Sequence, residues 1–151
     1  MYLLIKTIHI ISATLLFGTG LGSAFFMYLS YRSENISAMA VTNRIVVIAD
    51  FVFTTPAVFI QLASGLYLLQ QTHLAWNSTW ALLVFALFAF VGACWLPVVW
   101  LQIRLRDRAA ELDCIDNKYR RQMRIWLILG LLAFPAVLLL YGLMIFKPFW
   151  S

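Results

Sequence analysis

The stretch Lys6-KTIHIISATLLFGTGLGSAFF-Phe26 is almost wholly apolar or small, yet it keeps one imidazole, His9. A helix crossing the bilayer core needs ~20 mostly apolar residues. The run around this segment, from about Leu3 to Leu29, meets that length, and three more do the same: Ile45 to Leu69, Thr79 to Ile103 and Ile125 to Phe146. Together they leave no room in 151 residues for a soluble domain. The expected fold is therefore all-α, a single transmembrane domain of four helices.

Composition agrees. The chain is 64% hydrophobic and 11% charged, where a soluble domain carries about 25% charge. Its mean hydropathy is +0.90. A cleavable leader is a weaker reading of the first run, although Gly22–Ala24 offers small residues for cleavage. The run is longer than the ~7–15-residue apolar core of a signal peptide.

Charge sets the expected orientation. Of 11 basic residues, nine fall in two connections: Arg32 and Arg44 in 30–44, and Arg104, Arg106, Arg108, Lys118, Arg120, Arg121 and Arg124 in 104–124. The connection from Gln70 to Thr79 has none. The positive-inside rule puts both basic connections in the cytoplasm and both termini outside. The net charge of +5 then needs no nucleic acid; the expected surroundings are the lipid bilayer and anionic headgroups. The 104–124 connection, with Asp107, Glu111, Asp113 and Asp116, reads as a continued helix followed by a solvated turn. A docking site for a soluble partner is the other use of such a segment. Trp76, Trp80, Phe149 and Trp150 fit an interfacial aromatic belt. Cys94 and Cys114 lie at different depths, which disfavours a disulfide.

At about 100° per residue, Ser12, Leu16, Gly20, Ser23, Met27 and Ser30 share a stripe with His9. Gly18 and Gly22 form a small-xxx-small pair on roughly the opposite side, suited to close helix packing inside the bundle, with a membrane partner or in a homo-oligomer. In the second span Asp50, Thr54, Ala57, Gln61, Ser64 and Leu68 form a matching stripe. Its simplest position faces the first. Pro56 is expected to kink that span and free a backbone carbonyl. By helical rise His9 lies ~10 Å inside the outer boundary, level with Gln61 and Tyr141, whereas Asp50 lies ~8 Å from the cytoplasmic boundary. Arg44 and Arg124 are near enough in depth to pair with Asp50, which makes it a structural residue at the cytoplasmic end; a place on a proton or ion pathway is its other reading.

An intramembrane ionisable residue is a functional candidate by default. Neutral imidazole ligates haem, copper or zinc, so His9 is the candidate cofactor or metal ligand. His73 on the outer connection, Met144 or Met1 could add a second ligand, and Ser12, Gln61 and Tyr141 could support the first. The bland alternative is hydrogen-bonded packing between helices. No Ser–His–acid group or H-E-x-x-H motif is present, and the sequence leaves enzymatic activity undecided.

The segments KTIHIISATLLFGTGLGSAF, ADFVFTTPAVFIQLASG, WLPVVWLQIRLRDRA and GLMIFKP together resemble the predicted integral membrane family catalogued as domain of unknown function 2269, over essentially the whole chain. The opening KTIHIISATLLFGTG is also similar to the first helix of HemJ-type protoporphyrinogen oxidases and CopD-type copper-resistance proteins. That likeness implies a haem b, porphyrin or copper ligand at His9. The HemJ pattern also places a lysine in a later helix, and the third span here has none. The alternative to a cofactor-binding module is a non-catalytic accessory subunit or a small transporter, with the Gly18/Gly22 face as its packing surface.

Overall fold

A computed structural model describes residues 1–71 and 76–146. It contains α1 (Tyr2–Arg32), α2 (Ile36–Ala49), a π-helical turn (Asp50–Thr54), α3 (Thr55–Gln71), α4 (Thr79–Ala109) and α5 (Asn117–Phe146). α2, the π turn and α3 form one continuous second span, Ile36–Gln71. All four spans are long and apolar enough to cross a membrane, and no strand occurs among the described residues. Large apolar side chains face outward along every span, among them Phe59, Leu96, Leu131 and Ile145, each at least 66% exposed. In water that surface would aggregate; in lipid it is the solvated face.

The helices extend beyond the apolar runs at the basic end of the bundle. The second span begins at Ile36, because Asn35 caps α2 by accepting from the Ala38 N–H at 3.1 Å. Glu34, at φ 54°, turns the chain between α1 and that cap. α4 continues to Ala109, as its charged tail suggests, and α5 starts at Asn117. Asp116 accepts from the Tyr119 N–H at 2.8 Å and pairs with Arg108, so one carboxylate joins the end of α4 to the start of α5. The Arg108 guanidinium, helped by the Tyr119 N–H, holds the Asp116 carboxyl well below its ordinary 3.8, at about 2.

The closest packing is also at the basic end. Met27, Met39, Val46, Leu101, Leu105, Ala109, Tyr119, Met123 and Trp126 form the buried cluster. Asn43 crosses it, donating to the Leu105 carbonyl at 3.2 Å and the Tyr119 hydroxyl at 2.8 Å. Toward the chain termini the arrangement changes. α3 runs close to α1, while α4 runs close to α5. α1 meets α5 there through Phe17, whose ring lies 4.8 Å from Phe134 and 5.8 Å from Tyr141. Trp80 Nε1 donates to the Leu143 carbonyl at 2.9 Å and ties α4 to α5. The seam between α1 and the second span is therefore the interface that carries the polar stripes.

Pro56 acts in an unexpected form. It has no N–H to return to the Val52 carbonyl four residues back. The span absorbs this by widening one turn, in which the Thr55 N–H bonds the Asp50 carbonyl five residues back.

Candidate functional site

His9 reaches from α1 into the seam with α3. Its Nδ1 is 2.8 Å from Ser64 Oγ, and its Nε2 is 3.0 Å from Gln61 Nε2. Ser12, one turn along α1, places its hydroxyl 2.5 Å from Gln61 Oε1 and 2.9 Å from the His9 carbonyl. Ser64 donates to the Ile60 carbonyl. The helical spacing accounts for the set, since His9 and Ser12 are neighbours on one face, as are Gln61 and Ser64 on the other. Gly65 makes room for the ring, for a Cβ there would lie 3.2 Å from His9 Cε1.

These bonds define a protonation pattern. An amide nitrogen only donates, so Nε2 of His9 accepts and its Nδ1–H donates to Ser64. Ser12 completes the set on Gln61 Oε1. A half-turn of the Gln61 amide gives a second complete set. Oε1 then faces Nε2–H of a protonated ring, the amide nitrogen donates to Ser12, and Ser12 donates to the His9 carbonyl. The two arrangements differ by one proton on His9.

The same geometry bears on ligation. Both ring nitrogens are already engaged, and the ring lies directly against Gly65. Among the described residues no trio of His, Cys, Asp or Glu side chains lies close enough to hold a metal ion. The donor set does not fit a resident haem or metal ion without breaking the Gln61 or Ser64 bond. Tyr141 is not brought to His9. It packs on Phe17 and bonds Thr14, which lies about 140° around α1 from His9. His73 lies outside the described residues.

A second polar group lies nearer the basic end. Asp50, on the π turn, is 4% exposed, and its Oδ1 accepts from the Thr54 hydroxyl at 2.8 Å. The Gln102 side chain of α4 lies against the same carboxyl. The expected pairing of Asp50 with Arg44 or Arg124 is not formed. Both arginines are on exposed faces, and the ion pairs among the described residues are Arg106–Asp107 and Arg108–Asp116. Gln102 is the participant that the sequence reading missed. A lone glutamine in an otherwise apolar span, five residues after Pro97, was its available signal.

The Gly18/Gly22 face also departs from expectation. A Cβ on Gly18, Gly20 or Gly22 would meet nothing within 4 Å. The close packing that those glycines permit is not used among the described residues. Beside Gly22, a surface groove of about 460 Å³ runs between α1 and the second span, lined by Ser23, Phe26, Val46 and Phe53 among others.

Residues 3–148 match the sequence family described as "Predicted integral membrane protein (DUF2269)". No match was found among curated proteins or among solved structures.

Proposed function

The chain belongs to this family of predicted integral membrane proteins, and from that premise we propose that it is a small proton-handling module of the transporter class. Its working part is the seam between α1 and the second span. One observation carries the reading: both ring nitrogens of His9 meet side chains, Ser64 and Gln61, and a half-turn of the Gln61 amide would leave every partner satisfied after the ring takes a second proton. A packing histidine needs satisfied partners in only one of these protonation states. A group that takes up and releases a proton in the bilayer needs them in both, because an unpartnered polar group costs several kcal/mol there, by order of magnitude. In this reading the basic end faces the cytoplasm of a bacterial inner membrane, supported by the nine basic residues gathered there.

The test is ¹⁵N-histidine NMR of the protein in lipid, with His9→Gln assigning the signal. The expected spectrum shows a neutral His9 ring protonated at Nδ1, which takes up a second proton reversibly as the medium is acidified. A ring that does not titrate at all, or one whose shifts report a bound metal or haem, would overturn the reading.

A second reading, assembly with a neighbouring transmembrane helix, is favoured by the open space above Gly18, Gly20 and Gly22. Glycine costs a helix roughly 1 kcal/mol relative to alanine, and none of the described residues packs closely on these three. Gly18→Leu and Gly22→Leu are expected to abolish any cross-linked complex without unfolding the bundle. Complexes that survive both substitutions would count against this surface.

A further inference from the structure

Asp50 and Gln102 are buried to 4% and 3% exposure, on facing helices within the bundle. Asp50 Oδ1 has the Thr54 hydroxyl. Its other oxygen, Oδ2, has no hydrogen-bond partner among the described residues, and neither has Gln102 Oε1. As placed, the Gln102 amide N–H is the group turned to the Asp50 carboxyl, which leaves two buried acceptors unpartnered; with the Gln102 oxygen turned there instead, a proton between them would serve both. An ionised Asp50 would also need a counter-charge, and the surroundings supply none. α1 carries no titratable side chain between His9 and Tyr28. On α2, Arg44 is on the exposed face. α3 adds Tyr67, more than three turns from the π turn. On α4, the nearest such groups to Gln102 in sequence are the thiol Cys94 and Arg104, and the guanidinium of Arg104 is held 4.1 Å over the Trp100 ring.

We propose that Asp50 and Gln102 form a proton-binding site, with the proton resident on Asp50 Oδ2 and donated to Gln102 Oε1. A half-turn of the Gln102 amide presents that oxygen, and a single bond then satisfies both orphaned atoms. Release is a simple transfer: the O–H bond of the acid breaks, the proton passes to water or a base, and the carboxylate keeps the Thr54 hydroxyl and gains the Gln102 amide N–H as donors. The site deepens the proton-handling reading and draws its functional sense from it, yet it stands on separate residues.

Infrared spectroscopy of the protein in lipid at neutral pH tests it. The expected result is a carbonyl band of a protonated carboxylic acid that shifts in D₂O and is lost in Asp50→Asn. Asparagine keeps an acceptor for Thr54, so that variant is expected to fold. Gln102→Leu removes the acceptor and is expected to move the same band to higher frequency, which decides the matter if Asp50→Asn proves unstable. Absence of a protonated-acid band sensitive to either substitution would overturn the site. A band that appears only after sodium is removed would also overturn it, because a metal cation would then be the occupant. A titrating His9 beside an ionised Asp50 would refute this site and leave the proton-handling reading standing. The reverse result would refute that reading and leave the site.

Discussion

At the scale of single residues, two neighbours of His9, Gln61 and Gly65, each give a prediction. Gln61→Leu leaves Nε2 of His9 and the Ser12 hydroxyl without their shared partner. Interhelical hydrogen bonds in membranes contribute about 0.6 kcal/mol on average and about 1.7 at most. Because two groups lose a partner together, the expected loss is about 1–2 kcal/mol, read from unfolding in mixed detergent; a loss near zero would mean that the cluster does not bind the helices together. Gly65→Leu forces the ring from its seat, since even a Cβ comes to 3.2 Å. Overpacking of this kind costs about 1–3 kcal/mol. It should also displace the His9 signals in the ¹⁵N spectrum, whereas unchanged signals would show that Gly65 does not shape the site.

Elements explain what was legible in the sequence and what was not. The four spans follow from run length alone, and the facing stripes follow from the 100° period, so the His9–Gln61–Ser12 set could be read in advance. Ser64 was on the predicted stripe but had no assigned partner, because spacing gives a face and not an atom. Asp50 was misassigned to Arg44 and Arg124 because depth was used without direction. Arg44 precedes Asp50 by six residues, which puts it about 120° around the helix, on the lipid-facing side. The glycine pair was legible as a packing surface but not as an unused one. Pro56 announced a disruption, read from the sequence as a kink; the widened π turn before it was not foreseen. Replacing it restores the missing donor. Pro56→Ala is therefore expected to favour a regular α turn, to rotate Asp50 relative to Gln61, and to shift or abolish the Asp50 carboxylic-acid band. An unaltered band would show that the π turn does not depend on the proline. At the basic end, the Asp116 carboxyl is depressed to about 2, below its ordinary 3.8. A depressed acid stabilises above its ordinary value and ceases to do so as pH falls through the folded value. The α4–α5 connection is thus expected to keep its protection from amide exchange down to about pH 4 and to lose it toward about pH 2. Asp116→Asn should show the acid behaviour already at neutral pH, and protection indifferent to that substitution would contradict the cap.

Across the whole molecule the two polar groups divide the bundle. The basic end is closed by an apolar cluster with Asn43 and Tyr119 at its centre. The terminal half holds together through aromatic contacts of Phe17 and the hydrogen-bonded seam of α1 with α3. Asp50 and His9 occupy different depths of that seam, with Thr54, Ala57 and Gln61 between them on the second span. The account assigns the work of the protein to this seam. The most direct test is proton flux into proteoliposomes of the purified protein, driven by an imposed membrane potential and read by an enclosed pH dye. The account predicts uptake well above protein-free vesicles, reduced in His9→Ala and abolished in Asp50→Asn. Wild-type vesicles as proton-tight as empty ones, or a flux indifferent to both substitutions, would contradict it.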